Sequence, residues 1–240
     1  MKILFGIYQW CIACPIIIVA TLLTAIGTLI LAPFDKTYFG YYVPKWWARL
    51  WCWLLFVKVE VRGREKIDRN TSYIFVANHQ GAYDIFSIYG FLGHNFRWMM
   101  RKGLTNIPLV GWACEAAGHI MVDHHNNTAL KKTMTDAEKR LADGFSLVVF
   151  PEGRRTDTGK MGHFKSGAFK LAAEFNLPVV PITIDGSYQV MPRSTFNVTP
   201  GTIVLTMHEP IAPGSSQLDA KALAQKCYDI IHADLPKSMQ

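Results

Sequence analysis

The chain has 240 residues, half of them hydrophobic and only 18% charged. That composition excludes intrinsic disorder, which needs low hydrophobicity and high net charge, and the length excludes a miniprotein stapled by disulfides, as does the odd count of five cysteines. The 25 basic and 18 acidic side chains leave a net +7, which suits an anionic partner: nucleic acid, anionic lipid or a phosphorylated substrate.

From Ile3 to Phe34 there is no Asp, Glu, Lys or Arg. As one helix such a run would reach about 48 Å, longer than the roughly 30 Å hydrocarbon core of a bilayer. A cleaved signal peptide fits poorly, because only Lys2 stands in front and no Ala-x-Ala site follows. Pro15 divides the run into Ile3–Cys14 and Ile16–Leu31, which leaves two arrangements: one tilted crossing helix, or a bent helical pair embedded in one leaflet. Cys11 and Cys14 lie inside the run with no second pair, so they read as apolar helix residues rather than a zinc or redox site. Next come Trp46, Trp47, Trp51 and Trp53, a cluster of the kind that settles in the headgroup zone. Between Lys36 and Arg69 stand eight Lys and Arg against three acidic residues, which by the positive-inside rule puts this flank and all that follows on the cytoplasmic side.

The remaining sequence alternates strand and helix patterns. Strands are expected at Tyr73–Ala77, Arg97–Met100, His119–Val122, Ser146–Phe150, Val179–Ile184 and Thr202–His208. Helices are expected at Tyr83–Leu92, Thr128–Asp143, Ser166–Phe175 and Ser216–Leu235, with Gly144 and Pro178 as stop signals. Strands separated by helices of this length imply an α/β fold with a mostly parallel central sheet flanked by helices. The expected organisation is a membrane-anchoring segment over residues 1–60 and an α/β domain over 61–240.

Two polar clusters follow strands, where sites form in open α/β sheets. After the first strand comes Asn78-His79-Gln80-Gly81-Ala82-Tyr83-Asp84. A carboxylate that folds back onto one ring nitrogen of His79 would fix its tautomer and leave the other nitrogen as a general base. No Gly-x-Ser-x-Gly motif accompanies the pair, so the nucleophile is expected to be a substrate hydroxyl. After Ser146–Phe150 comes Pro151-Glu152-Gly153-Arg154-Arg155-Thr156. Gly153 permits close backbone approach, the arginines offer planar forks for phosphate oxygens, and Glu152 could orient an arginine or a hydroxyl. Lys160, Lys165 and Lys170 add positive potential. Together the clusters describe activation of a hydroxyl on a phosphate-bearing molecule beside a membrane.

Asn78-His79-x4-Asp84 followed by Phe150-Pro151-Glu152-Gly153-x-Arg155 resembles the glycerolipid acyltransferases, specifically the 1-acyl-sn-glycerol-3-phosphate acyltransferases of the PlsC type. The resemblance extends to Arg101-Lys102-Gly103-Leu104 with Ile107–Trp112, to Phe164–Phe169, to Leu177–Ile182 and to His208–Ile211, and so covers about Tyr73 to Ile211. It implies transfer of a fatty acyl group from acyl-CoA or acyl carrier protein to the 2-hydroxyl of lysophosphatidic acid, giving phosphatidic acid. His79 would be the base and Asp84 its support, with no acyl-enzyme. Glu152, Gly153 and Arg155 would bind the acceptor's glycerol phosphate with Lys102 as a further phosphate contact, and Asn78 and Arg154 are further candidate substrate-binding residues. Arg154 stands where Thr is usual, Gly103 where Glu is common, and Val122-Asp123-His124 where Ile-Asp-Arg is usual. No cofactor, metal or nucleic acid is expected; the expected surroundings are an anionic membrane, a bacterial inner membrane with the catalytic domain facing the cytoplasm. Other readings are an acyltransferase for another lysolipid (a lysophospholipid or lyso-ornithine lipid), a metalloenzyme built on His119, Asp123, His124, His125 and His163, and a non-catalytic membrane adaptor.

Overall fold

Helix α1 (Lys2–Tyr8) runs through a π-helical turn at Gln9–Ala13 into α2 (Cys14–Leu31) in the computed structural model, which describes residues 2–122, 127–142, 144–212 and 219–240. Pro15 therefore does not divide the apolar run. The Cys14 N–H reaches back five residues to the Gln9 carbonyl, and this wider turn lets the helix pass a residue with no N–H to give. Gln9, Ala13, Ile17, Ala25, Thr28 and Ala32 form a buried stripe at spacings of three, four and eight residues. Ile3, Leu4, Ile18, Val19, Leu23 and Ile30 are exposed on the opposite side. The helix is long and apolar enough to cross a membrane, and its buried stripe packs on the domain along its length, from the Phe5–Phe56 ring pair to α5 (Val110–Ala116).

Helix α3 (Val43–Leu54) carries the four tryptophans and splits them. Trp46 and Trp53, seven apart, are each 55% exposed. Trp47 and Trp51, four apart, turn inward onto Phe86, Trp51 at 4.4 Å and 13°. Only half of the expected aromatic belt thus faces outward; the other half is core, because helical spacing sends the two pairs to different faces.

The strands β1 (Val57–Arg62), β2 (Ile74–Ala77), β3 (Phe96–Arg101), β4 (Ile120–Val122), β5 (Ser146–Val149), β6 (Val179–Asp185) and β7 (Gly201–Met207) form one seven-stranded sheet among the described residues, in the order β1-β7-β6-β2-β5-β3-β4. All neighbours are parallel except β6 and β7. Every residue of β2 is buried, as expected for a strand covered on both faces. On one face lie α2, α3 and α4 (Tyr83–Phe91); on the other lie α6 (Asn127–Ala142), α7 (Gly167–Glu174) and α9 (Ala220–Asp234), and the short α8 (Ser187–Val190) leads into β7. Strand β1, helix α5 and the short α8 are additions to the expected elements. The strand is legible in the alternation of Val57, Val59 and Val61 with charged residues, a pattern that the charge count over the same stretch obscures. The expected division at residue 60 falls inside this strand. Asp123, His124, His125, Asp143 and Ser216 lie outside the described residues.

Candidate active site

Strand β2 ends at Ala77, between β5 and β6, and the polar cluster begins one residue on. Asn78 is fully buried, and its carboxamide closes a two-bond ring with the Ile184 backbone. Nδ2 donates to the carbonyl and Oδ1 accepts the N–H, both at 2.8 Å. Asn78 therefore pins the tip of β2 to β6, and its amide is not available to substrate as the sequence reading expected.

Asp84, in the first turn of α4, is fully buried. Its Oδ2 accepts three hydrogen bonds, from the Gln80 N–H at 2.6 Å, the Gly81 N–H at 2.9 Å and His79 Nδ1 at 2.8 Å. An ionised carboxylate only accepts, so Nδ1 carries the proton and Nε2 presents its lone pair. Nε2 has no hydrogen-bond partner among the described residues. The turn can fold this tightly because Gly81 has no side chain: a Cβ there would sit 2.4 Å from the Ser187 carbonyl. The His79 ring stacks on Phe150 at 4.0 Å and 8°, and Phe150 stacks in turn on Trp98 at 5.4 Å. Only 12% of the imidazole side chain remains exposed. One ring face is dry and one nitrogen is held, so the imidazole is a positioned base.

The second cluster leaves β5, the strand beside β2. Glu152 is buried, and each carboxylate oxygen holds a backbone N–H: Oε1 that of His79 at 2.7 Å, Oε2 that of Gly162 at 2.8 Å. Burial pushes its pKa up to about 7 against the opposing pull of those two donors. Glu152 thus supports the main chain of His79, a role its motif does not announce, and pairs with no arginine among the described residues. Thr156 N–H donates to the His79 carbonyl at 3.0 Å. Two strand tips separated by more than seventy residues of chain meet at the backbone of one histidine.

Gly153 has φ of +77°, a conformation that calls for glycine, and the position of its missing Cβ lies 2.8 Å from the Lys165 ammonium. Lys165 lies over this turn, although in sequence it is only one of three downstream lysines. Arg154 is exposed and sits 3.8 Å from Asp157, which also holds Arg193 at 3.0 Å. Arg155 is half-buried, directly before Thr156, and makes no hydrogen bond or ion pair with the described residues. Lys102 begins the turn after β3, on the same end of the sheet, one strand beyond β5. Phe150 and Lys165 are the residues whose roles sequence reasoning missed. The signal for Phe150 is its place at the strand end, one turn of chain before the Glu-Gly pair.

His119 is buried and spoken for: Nδ1 accepts the Trp98 N–H at 3.2 Å and Nε2 lies 3.2 Å from the Tyr89 hydroxyl. Burial lowers its pKa to about 3. Among the described residues no group of three or more His, Cys, Asp and Glu could hold a metal ion.

A family model described as Acyltransferase matches residues 58–185, from β1 through β6 and across both strand tips. The chain belongs to the acyltransferase family. Among its relatives, this acyltransferase is 28% identical to a chloroplastic 1-acyl-sn-glycerol-3-phosphate acyltransferase of Brassica napus, over 85% of the chain and 59% of that protein. It is 31% identical to a chloroplastic 1-acyl-sn-glycerol-3-phosphate acyltransferase of Arabidopsis thaliana over 72% of the chain and 49% of that protein. It is 32% identical to a 1-acyl-sn-glycerol-3-phosphate acyltransferase of Pseudomonas aeruginosa, over 68% of the chain and 64% of that protein. The chain spans about half to three-fifths of the length of the plant relatives named here. A crystal structure of the 1-acyl-sn-glycerophosphate acyltransferase PlsC of Thermotoga maritima superposes with a TM-score of 0.66, covering 90% of this chain and 95% of that one. At 24% identity the agreement is one of fold.

Proposed function

We propose that this acyltransferase moves a fatty acyl group from acyl-CoA or acyl carrier protein to the 2-hydroxyl of 1-acyl-sn-glycerol 3-phosphate, forming phosphatidic acid. One observation carries the reading: His79, held by Asp84 through Nδ1, is gripped at its main chain by Glu152 and Thr156, which flank the arginine pair. His79 Nε2 takes the proton of the acceptor hydroxyl as that oxygen bonds to the thioester carbonyl carbon. The tetrahedral intermediate then expels the thiolate as the C–S bond breaks, and the imidazolium returns its proton to that sulfur. Asp84 stabilises the imidazolium while it exists. Arg155 takes the acceptor phosphate, with Lys165 and Lys102 adding positive charge on that side.

The acceptor is dissolved in a membrane, and the N-terminal helix supplies the means of reaching it. Because α1 touches the domain through Phe5 and Tyr8 and α2 packs against α3 and α5 while the opposite side is apolar and exposed, the helix lies in one leaflet beside the domain. A crossing helix would have to carry the domain through the bilayer with it. The basic flank then meets anionic headgroups of an inner membrane from the cytoplasm.

The test is direct. Purified protein is given labelled acyl-CoA or acyl carrier protein and a panel of lysolipids that includes lysophosphatidic acid, lysophosphatidylglycerol and lyso-ornithine lipid. Phosphatidic acid should be the main product; preferential acylation of a different lysolipid moves the acceptor assignment, and no acyl transfer to any of them ends the proposal.

A further inference from the structure

Residues 191–200 join the apolar N-terminal helix to the candidate site. Gln9 is a polar residue in the apolar run and only 2% exposed. Its carboxamide makes two bonds to this loop: Nε2 donates to the Phe196 carbonyl at 2.8 Å, and Oε1 accepts the Val198 N–H at 3.0 Å. The neighbouring Trp10 donates its indole N–H to Asn197 Oδ1 at 3.0 Å. A buried amide in an apolar helix is costly unless both its groups are paired, and here the loop pairs them. The other end of the loop reaches the site. Thr199 N–H donates to the Val190 carbonyl at 2.8 Å, and the Met191 carbonyl accepts the N–H of Ala82, the residue before the helix that carries Asp84, at 3.3 Å.

Between these clasps, Phe196 is 76% exposed. Its loop bonds to Gln9 and Trp10, and so lies beside the level of the helix where Ile7 and Trp10 are also more than half exposed. Three residues earlier, Arg193 holds one oxygen of Asp157 while Arg154 lies 3.8 Å from the other. Two guanidiniums against one carboxylate leave a net positive charge beside the exposed phenylalanine.

We propose that this loop is a second membrane contact, with Phe196 entering the boundary between headgroups and acyl chains while Arg193 and Arg154 meet the phosphates of an anionic leaflet. The proposal rests on the reading that α1 and α2 lie in that leaflet, and it adds that the site's own rim is held against the lipid. An aromatic ring with flanking cations is the chemistry that suits such an interface. It also gives Arg154 a role apart from the acceptor phosphate.

The experiment uses the full chain in vesicles of phosphatidylethanolamine and phosphatidylglycerol, with p-benzoylphenylalanine in place of Phe196, Ile18 or, on the opposite face of the sheet, Gln225. After irradiation, mass spectrometry should find acyl-chain adducts at positions 196 and 18 and none at 225. Adducts at 18 without any at 196 would overturn the loop contact and leave the helix reading standing. Absence at both would overturn both, and equal labelling at 225 would show that the adducts are not specific to a membrane face and overturn the loop contact. Raising the phosphatidylglycerol share should increase the adduct at 196 several-fold, and Arg193→Gln should abolish that increase; an unchanged response would remove the arginine from the contact.

Discussion

The tip of β2 and the tip of β5 sit side by side and are built on different plans. Behind His79 the groups that hold the ring are tied to the main chain: Asp84 Oδ2 accepts three bonds while its Oδ1 is buried without a partner among the described residues, both oxygens of Glu152 hold backbone N–H groups, and Asn78 is locked to Ile184. Beyond Glu152 the cations are loosely held. Arg154 has one exposed ion pair, and Arg155 has neither hydrogen bond nor ion pair with the described residues. A group that must move a proton gains from being fixed before substrate arrives. A group that must grip a phosphate is most useful while its donors are uncommitted, since a paired guanidinium has to break one bond to make another.

That contrast can be broken by substitution. Asp84→Asn keeps an acceptor for the Gln80 and Gly81 N–H groups but loses the charge that supports the imidazolium. Turnover should fall by roughly 10²–10⁴-fold, and a rate within a few-fold of the parent would remove Asp84 from the mechanism. Arg155→Ala should raise the acceptor KM by roughly ten- to a hundred-fold, the worth of a charge-assisted hydrogen bond, with much less effect on kcat. A change confined to kcat would move the phosphate site elsewhere.

Glu152→Gln separates the two plans most sharply, because this residue belongs to the second motif in sequence and to the first tip in structure. A carboxamide can accept only one of the two N–H bonds, so the His79 main chain shifts. We expect kcat to drop about ten-fold with the acceptor KM nearly unchanged; the opposite split would return Glu152 to the acceptor. The same variant has a signature in stability. The folded-state pKa of Glu152 is raised from 4.5 to about 7, so between those values the folded chain binds more protons than the unfolded chain. Stability should fall as pH rises through that window, and urea titrations across it should show a shallower slope in the variant. Arg154→Ala should have the smallest kinetic effect, less than about five-fold on acceptor KM, because an exposed ion pair contributes little. A loss comparable to that of Arg155→Ala would put both arginines on the acceptor phosphate.

The sheet and the His–Asp pairing were legible because local pattern determines them. Short β-branched runs such as Ile74–Ala77 mark buried strands, and a carboxylate five residues after a histidine at a helix start has few places to go. What stayed hidden depends on partners far apart in the chain. Nothing in the Glu152 motif says that its oxygens meet the N–H groups of residues 79 and 162, and nothing near Asn78 announces Ile184. Pro15 misled for a related reason: the π-helical turn that accommodates it depends on a hydrogen bond reaching back to Gln9, which composition does not show. The Trp46–Trp53 cluster reads as a single belt until helical phase assigns two rings to the core.

The central claim is that His79 Nε2 accepts the acceptor's proton while Arg155 holds its headgroup. Steady-state acyl transfer from labelled acyl-CoA or acyl carrier protein to lysophosphatidic acid in phosphatidylethanolamine–phosphatidylglycerol vesicles, compared between the parent chain and His79→Ala, addresses it directly. Turnover should fall by at least about a hundred-fold while sedimentation with vesicles is unchanged; product formation at the parental rate by His79→Ala would contradict the account.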